Sequence, residues 1–90
     1  MKTNIISVKY EDRFKPKSFG GKAYNYYTSI DVKVGDLVIA PTSNGEQVAM
    51  ITELNVPEKK LGVLSVFLKT IEQKIDKPKY LYDNTIQNVA

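Results

Sequence analysis

Tyrosine and lysine interleave in the first third of this 90-residue chain. Tyr24, Tyr26 and Tyr27 fall within one short segment, KAYNYYTS, that opens with Lys22. Just upstream, Phe14 and Phe19 sit among Arg13, Lys15, Lys17 and Lys22. Ring faces that reach solvent can stack on unpaired bases, and cations beside them can follow a phosphate chain. Tyrosines in a small β domain also build cores. On a strand Tyr24 and Tyr26 share one face and Tyr27 takes the other. At least one face must be buried, so about two of the three are expected to be structural.

The groups needed for most catalysis are missing. The chain has no histidine and no cysteine. That removes most metal sites and most acid–base or thiol nucleophile arrangements. Carboxylates are scattered; only Glu11 and Asp12 are adjacent, and strand neighbours point to opposite faces. Gly20-Gly21 is too short for a phosphate loop and precedes a strand, not a helix. No serine has a base partner visible in the sequence. The expectation is a non-catalytic binding module, not an enzyme, with no cofactor and no metal.

Charge is unevenly spread. Residues 1–33 hold seven basic and three acidic side chains, residues 34–57 hold three acids and no base, and residues 58–90 hold six lysines and four acids. A basic first third beside an acidic middle suggests a polarised surface. A mixed solvated face is the plainer reading of the same numbers.

The elements that must position these side chains read as strands. Asn4 to Tyr10 is β-branched and apolar, with Ile6, Val8 and Tyr10 on one face. Glu11 to Gly21, with Pro16 and the Gly20-Gly21 pair, reads as a loop. Lys22 to Ser29 is a second strand. Val34-Gly35-Asp36 reads as a tight turn, glycine supplying the dihedral and aspartate a local hydrogen bond. Asp36 to Pro41 and Glu46 to Leu54 are strands joined by Thr42 to Gly45, whose Asn-Gly dipeptide signals a hairpin. Asn55 to Lys60 is a turn. Ser65 to Ile75 fits both helical and strand periods; a strand is favoured, ended by Asp76-Lys77-Pro78. The fold class expected is all-β: a small five- to six-stranded SH3/OB-like barrel or a strongly bent antiparallel sheet.

Ninety residues make one domain. The barrel is expected over 1–78, and 79–90 form a C-terminal extension. The first residues carry no signal-peptide pattern, and no apolar run approaches the roughly 18 residues of a membrane span. A cytoplasmic protein is the expectation, in the host cell if the chain is phage-encoded.

A family resemblance runs through residues 5–76. Tyr24-Asn25-Tyr26, then Val32-Lys33-Val34-Gly35-Asp36-Leu37-Val38-Ile39-Ala40-Pro41, then Gly45, Val48-Ala49-Met50-Ile51 and Leu68-Lys69 resemble the N-terminal DNA 3′-end-binding domain of the replication-restart helicase PriA. That resemblance implies a small pocket for a terminal base and sugar, formed here by Tyr24, Asn25, Gly45 and Lys69. Asn25 stands where the family has an acid, and Thr42-Ser43-Asn44 make a longer turn before Gly45. A free-standing domain of this kind also looks like small proteins of phages and mobile elements.

Two functions are therefore expected. In the first, the chain binds DNA, as single strands or 3′ ends; the pocket is as above, and Arg13, Lys15, Lys17, Lys22 and Lys33 hold phosphates. In the second, it is a phage accessory or structural protein that binds a host or virion protein through its barrel surface, with the acidic Asp36 to Glu53 hairpin or a strand edge as the contact.

Overall fold

The computed structural model describes residues 4–62 and 68–80. These residues form one six-stranded sheet and two short helical pieces. The strands are β1 (Asn4–Asp12), β2 (Lys15–Thr28), β3 (Leu37–Thr42), β4 (Gly45–Glu53), β5 (Thr70–Ile71) and β6 (Gln73–Ile75). A 3-10 turn spans Glu58–Lys60, and residues 77–80 are helical. The spatial order is β5-β2-β1-β4-β3-β6. All neighbours are antiparallel except β2 and β5.

The sheet is strongly bent, and one short segment serves both of its ends. Thr70 and Ile71 pair with Tyr27 and Thr28 of β2. Two residues later Gln73, Lys74 and Ile75 pair with Ile39, Val38 and Leu37 of β3. The ladder breaks between them, at Glu72, so the sheet stays open in the hydrogen-bonding sense. Thr28 fixes the first junction: it is fully buried, and its Oγ1 donates to the Ile71 carbonyl at 2.8 Å.

Bending creates an inside. Ile6 and Val8 of β1, Tyr26 of β2, Val38 and Ala40 of β3, Ala49 and Ile51 of β4, and Ile71 of β5 form the core. Period-two alternation places each set on one face, and the register brings them together: Val8 opposite Ile51, Val38 opposite Ala49, Ile6 opposite Tyr26. The outer face of β1 is also covered. Ile5 and Ser7 are buried there, and Val56, itself buried, donates its N–H to the Ile5 carbonyl. Residues 5–8 are therefore buried on both faces, with Ser7 the one polar member.

Both expected turns form. Gly35 has φ of +95°, the Asp36 N–H donates to the Lys33 carbonyl, and the Asp36 carboxylate accepts from the Lys33 N–H at 2.8 Å. In the β3–β4 hairpin Thr42 pairs with Gly45, so Ser43-Asn44 form the two-residue tip. The positive φ, +106°, falls on Gly45 at the first position of β4.

The segment Glu11 to Gly21 is not a loop. It is paired as the distal half of the β1–β2 hairpin, but irregularly. Between the pairs Lys9–Ala23 and Glu11–Phe19, β1 spends one residue and β2 three; between Glu11–Phe19 and Asp12–Lys15, β1 spends none and β2 again three. Each excess is a bulge, and each carries a positive φ: Gly21 at +79° and Lys17 at +68°. Proline and glycine are tolerated at bulges inside paired strands, so the residues that signal a loop mark bulges here.

The expected strand from Ser65 is only partly described. Residues 65–67 lie outside the described residues, and strand pairing begins at Thr70. The expected stop holds: Lys79 N–H donates to the Asp76 carboxylate and Tyr80 N–H to the Asp76 carbonyl, which opens the helical turn. Of the C-terminal extension, residues 81–90 lie outside the described residues.

Candidate functional site

The interior of the bent sheet opens at the end where β3 meets β4. Past buried Ala40 and Ala49, the inward-facing positions are filled by larger and more polar side chains: Tyr10, Tyr24, Tyr26 and Gln47. They form the floor of an open groove of about 690 Å³. Its walls are the edge of β2 from Lys22 to Tyr26, the hairpin Pro41 to Asn44, and Leu61, Leu68 and Lys69.

Hydroxyl groups order the floor. Tyr26 donates to the Pro41 carbonyl at 2.9 Å. Its single proton is thereby used, so the 2.5 Å bond between the Tyr10 and Tyr26 hydroxyls runs from Tyr10 to Tyr26. Burial, the Tyr10 bond and the neighbouring phenols push the Tyr26 hydroxyl far above its ordinary pKa. Tyr26 is buried and structural; the sequence left open which of the three tyrosines would be.

Tyr24 is different. It shares the inward face but lies beyond the core, at the mouth, and is 40% exposed. Its ring stacks on Tyr10, with centroids 4.7 Å apart and planes 20° from parallel. The Lys22 ammonium lies 5.7 Å from the Tyr24 centroid. A ring held by a stacked neighbour presents a pre-oriented surface, which lowers the entropic cost of stacking a third ring on it.

Lysine also dominates the electrostatics. Lys22 and Lys69 both line the groove, and none of the residues lining it is acidic. The other concavities differ: one at the opposite end of the sheet includes Asp31, and one beside β6 includes Asp36 and Asp76 with their lysines.

The four residues expected in a pocket are only partly united. Tyr24, Asn25 and Lys69 line the groove; Gly45 does not, although its neighbour Asn44 does. Asn25 pairs with Ser7 across β1 and β2, and its side-chain oxygen accepts from Ser7 Oγ at 2.7 Å. That bond lies on the outer face, opposite Tyr24. What Asn25 offers the groove is its main chain. Tyr27 donates its N–H outward to the Lys69 carbonyl, and with a period of two Asn25 and Ala23 turn their main-chain groups to the same edge.

The five expected phosphate contacts also separate. Lys22 lies in the groove wall. Arg13 and Lys15 are exposed at the tip of the β1–β2 hairpin. Lys17 sits deeper: its ammonium lies 3.7 Å from the centroid of the Tyr80 ring, and its N–H donates to Glu11. Tyr80 in turn donates to the other Glu11 oxygen at 2.7 Å. Lys17 therefore belongs to a latch that ties the C-terminal turn to the hairpin. Lys33 lies in the turn that precedes β3, beyond the end of the strand far from the groove, roughly 20 Å away at about 3.4 Å per residue.

Sequence reasoning missed Tyr10, Gln47, Leu61 and Leu68. Tyr10 had a signal, since it continues the Ile6 and Val8 face. Its partner was unreadable, because stacking on Tyr24 depends on the β1–β2 register. Among the described residues no group of three His, Cys, Asp or Glu side chains could hold a metal ion. No helix among them is long and apolar enough to cross a membrane. Comparison with protein-family profiles, curated proteins and solved structures found no match to this chain.

Proposed function

We propose that the groove binds the end of a nucleic-acid strand, most simply single-stranded DNA, without chemical turnover. One observation carries this reading: a stacked, half-exposed tyrosine lies in a concavity whose lining includes two lysines and no acid. The terminal base stacks on Tyr24. Lys22 and Lys69 meet the flanking phosphates. The amides of Asn44 and Gln47 and the outward main-chain groups of Ala23 and Asn25 meet base edges or the sugar hydroxyl. The resemblance to a 3′-end-binding domain supports the choice of a strand end over an internal stretch. It carries over to Tyr24, Lys69 and the main chain of Asn25, and leaves out Gly45.

Fluorescence anisotropy with a labelled oligonucleotide tests it. A free 3′-hydroxyl should bind more tightly than a 3′-phosphate. Tyr24→Ala should weaken binding by about 1–3 kcal/mol, the worth of one stacked base, with an unchanged circular dichroism spectrum. Lys69→Ala should reduce the slope of log K against log salt by about 0.7. No binding at low salt overturns the proposal.

A protein partner is the second reading. Among the described residues, β2 from Lys15 to Ala23 pairs only with β1, so its outer edge is open to strand addition. Association by that route should survive salt that abolishes binding to DNA.

A further inference from the structure

The tip of the β1–β2 hairpin has a feature the groove does not explain. Phe14 is 86% exposed, the most exposed large apolar side chain among the described residues. Its backbone is fixed at this position. Asp12 Oδ1 accepts the Phe14 N–H at 2.8 Å, closing an Asx turn. Below it, both oxygens of Glu11 are engaged, one by the Lys17 N–H and one by the Tyr80 hydroxyl. The two acids of the hairpin thus brace the turn. Arg13 and Lys15, on either side of Phe14, are exposed.

An aromatic ring projecting between two cations at the end of a braced ribbon suits a polyanion with stacked bases. Apolar side chains driven between base steps unstack them, and flanking cations hold the backbone that is pushed apart. The spacing to the groove is short. Tyr10, which supports Tyr24, precedes Phe14 by four residues, so their Cα atoms are at most about 14 Å apart. A nucleic-acid strand covers that in about four nucleotides at 3.4 Å each.

We infer that Phe14 is a wedge that stacks against the last base pair of a duplex, so that the preferred ligand is a duplex carrying a short 3′ single-stranded tail whose end lies in the groove. This deepens the function proposed above and rests on it. The tail length that fits is about four nucleotides. The duplex contributes phosphates to Arg13 and Lys15, and the tail contributes its terminal base to Tyr24.

The test compares single strands with duplexes bearing 3′ tails of zero, two, four and eight nucleotides, with 2-aminopurine in the last base pair. The wild-type chain should favour the four-nucleotide tail over the single strand by about tenfold and should change the 2-aminopurine signal. Phe14→Ala should abolish that preference and signal change while single-strand affinity falls less than twofold. Phe14→Trp should retain both. Because Phe14 is exposed, neither variant should alter the thermal midpoint. If single strands bind but tails add nothing, or if Phe14→Ala weakens both ligands equally, the wedge is overturned and the groove reading stands. If neither ligand binds, both fall.

Discussion

Thr28 shows what one buried polar side chain can do in a small sheet. Its hydroxyl donates to the Ile71 carbonyl and accepts from the Ile30 N–H at 3.3 Å. It therefore joins the end of β2 both to β5 and to the chain that follows. Thr28→Val keeps the shape and removes both bonds in a fully buried place. The expected cost is about 1–3 kcal/mol, the penalty for stranding a buried polar group, read as a lower urea midpoint with an unchanged slope. Tyr24 belongs at the same scale. Under the proposed function, stacking by Tyr24 depends on its exposure and on Tyr10 beneath it, so Tyr10→Ala should also weaken nucleic-acid binding although Tyr10 donates its proton elsewhere.

At the scale of the element, the turns repeat one device: a single residue of positive φ where the chain must change direction. Gly35 is the clearest. A Cβ there would meet only Lys77 Nζ at 3.7 Å, an ordinary contact. Space is therefore not the obstacle, and Gly35→Ala isolates the backbone term. It should cost about 1–3 kcal/mol in equilibrium unfolding. The turn also delivers Gly35 N–H to the Ile51 carbonyl and Ile51 N–H to the Asp36 carbonyl, so loosening it should raise amide exchange at Ile51. The distal hairpin uses the same device twice, at Lys17 and Gly21, and the extra residues of β2 are absorbed without unpairing the strands.

At the scale of the molecule, the sheet is tied by contacts between distant parts of the chain, and some of these titrate. Tyr80, 69 positions from Glu11, has its hydroxyl pushed up to about 12 by burial and by its bond to that carboxylate. Tyr26 is raised further by burial and the Tyr10 bond. An unfolded tyrosine titrates near 10. Both groups are neutral in the folded state, so their contribution is whole below pH 10 and is lost as pH rises through 10 to 12 and beyond. Thermal midpoints should fall over that window. Tyr80→Phe should make the fall between pH 10 and 12 shallower; the fall that remains there, and the later part, belong to Tyr26.

Local chemistry in the sequence was enough for the all-β class, the β3–β4 hairpin and the turn at Gly35, because each depends on near neighbours: alternation, a β-branched run, a glycine beside an Asx residue. It was also enough to predict that Tyr24 and Tyr26 share a face. Tertiary structure decided the rest. Pro16 and Gly20-Gly21 sit in bulges of a paired strand, since whether such residues break a strand or bulge from it depends on the partner strand. Asn25 turned its side chain to Ser7 rather than to Tyr24, and Lys33 fell at the far end of β3 from Lys22, because strand alternation and sheet curvature place side chains by register. Register is set by pairings tens of residues apart, such as Val8 with Ile51 and Thr28 with Ile71, and no local pattern encodes those distances.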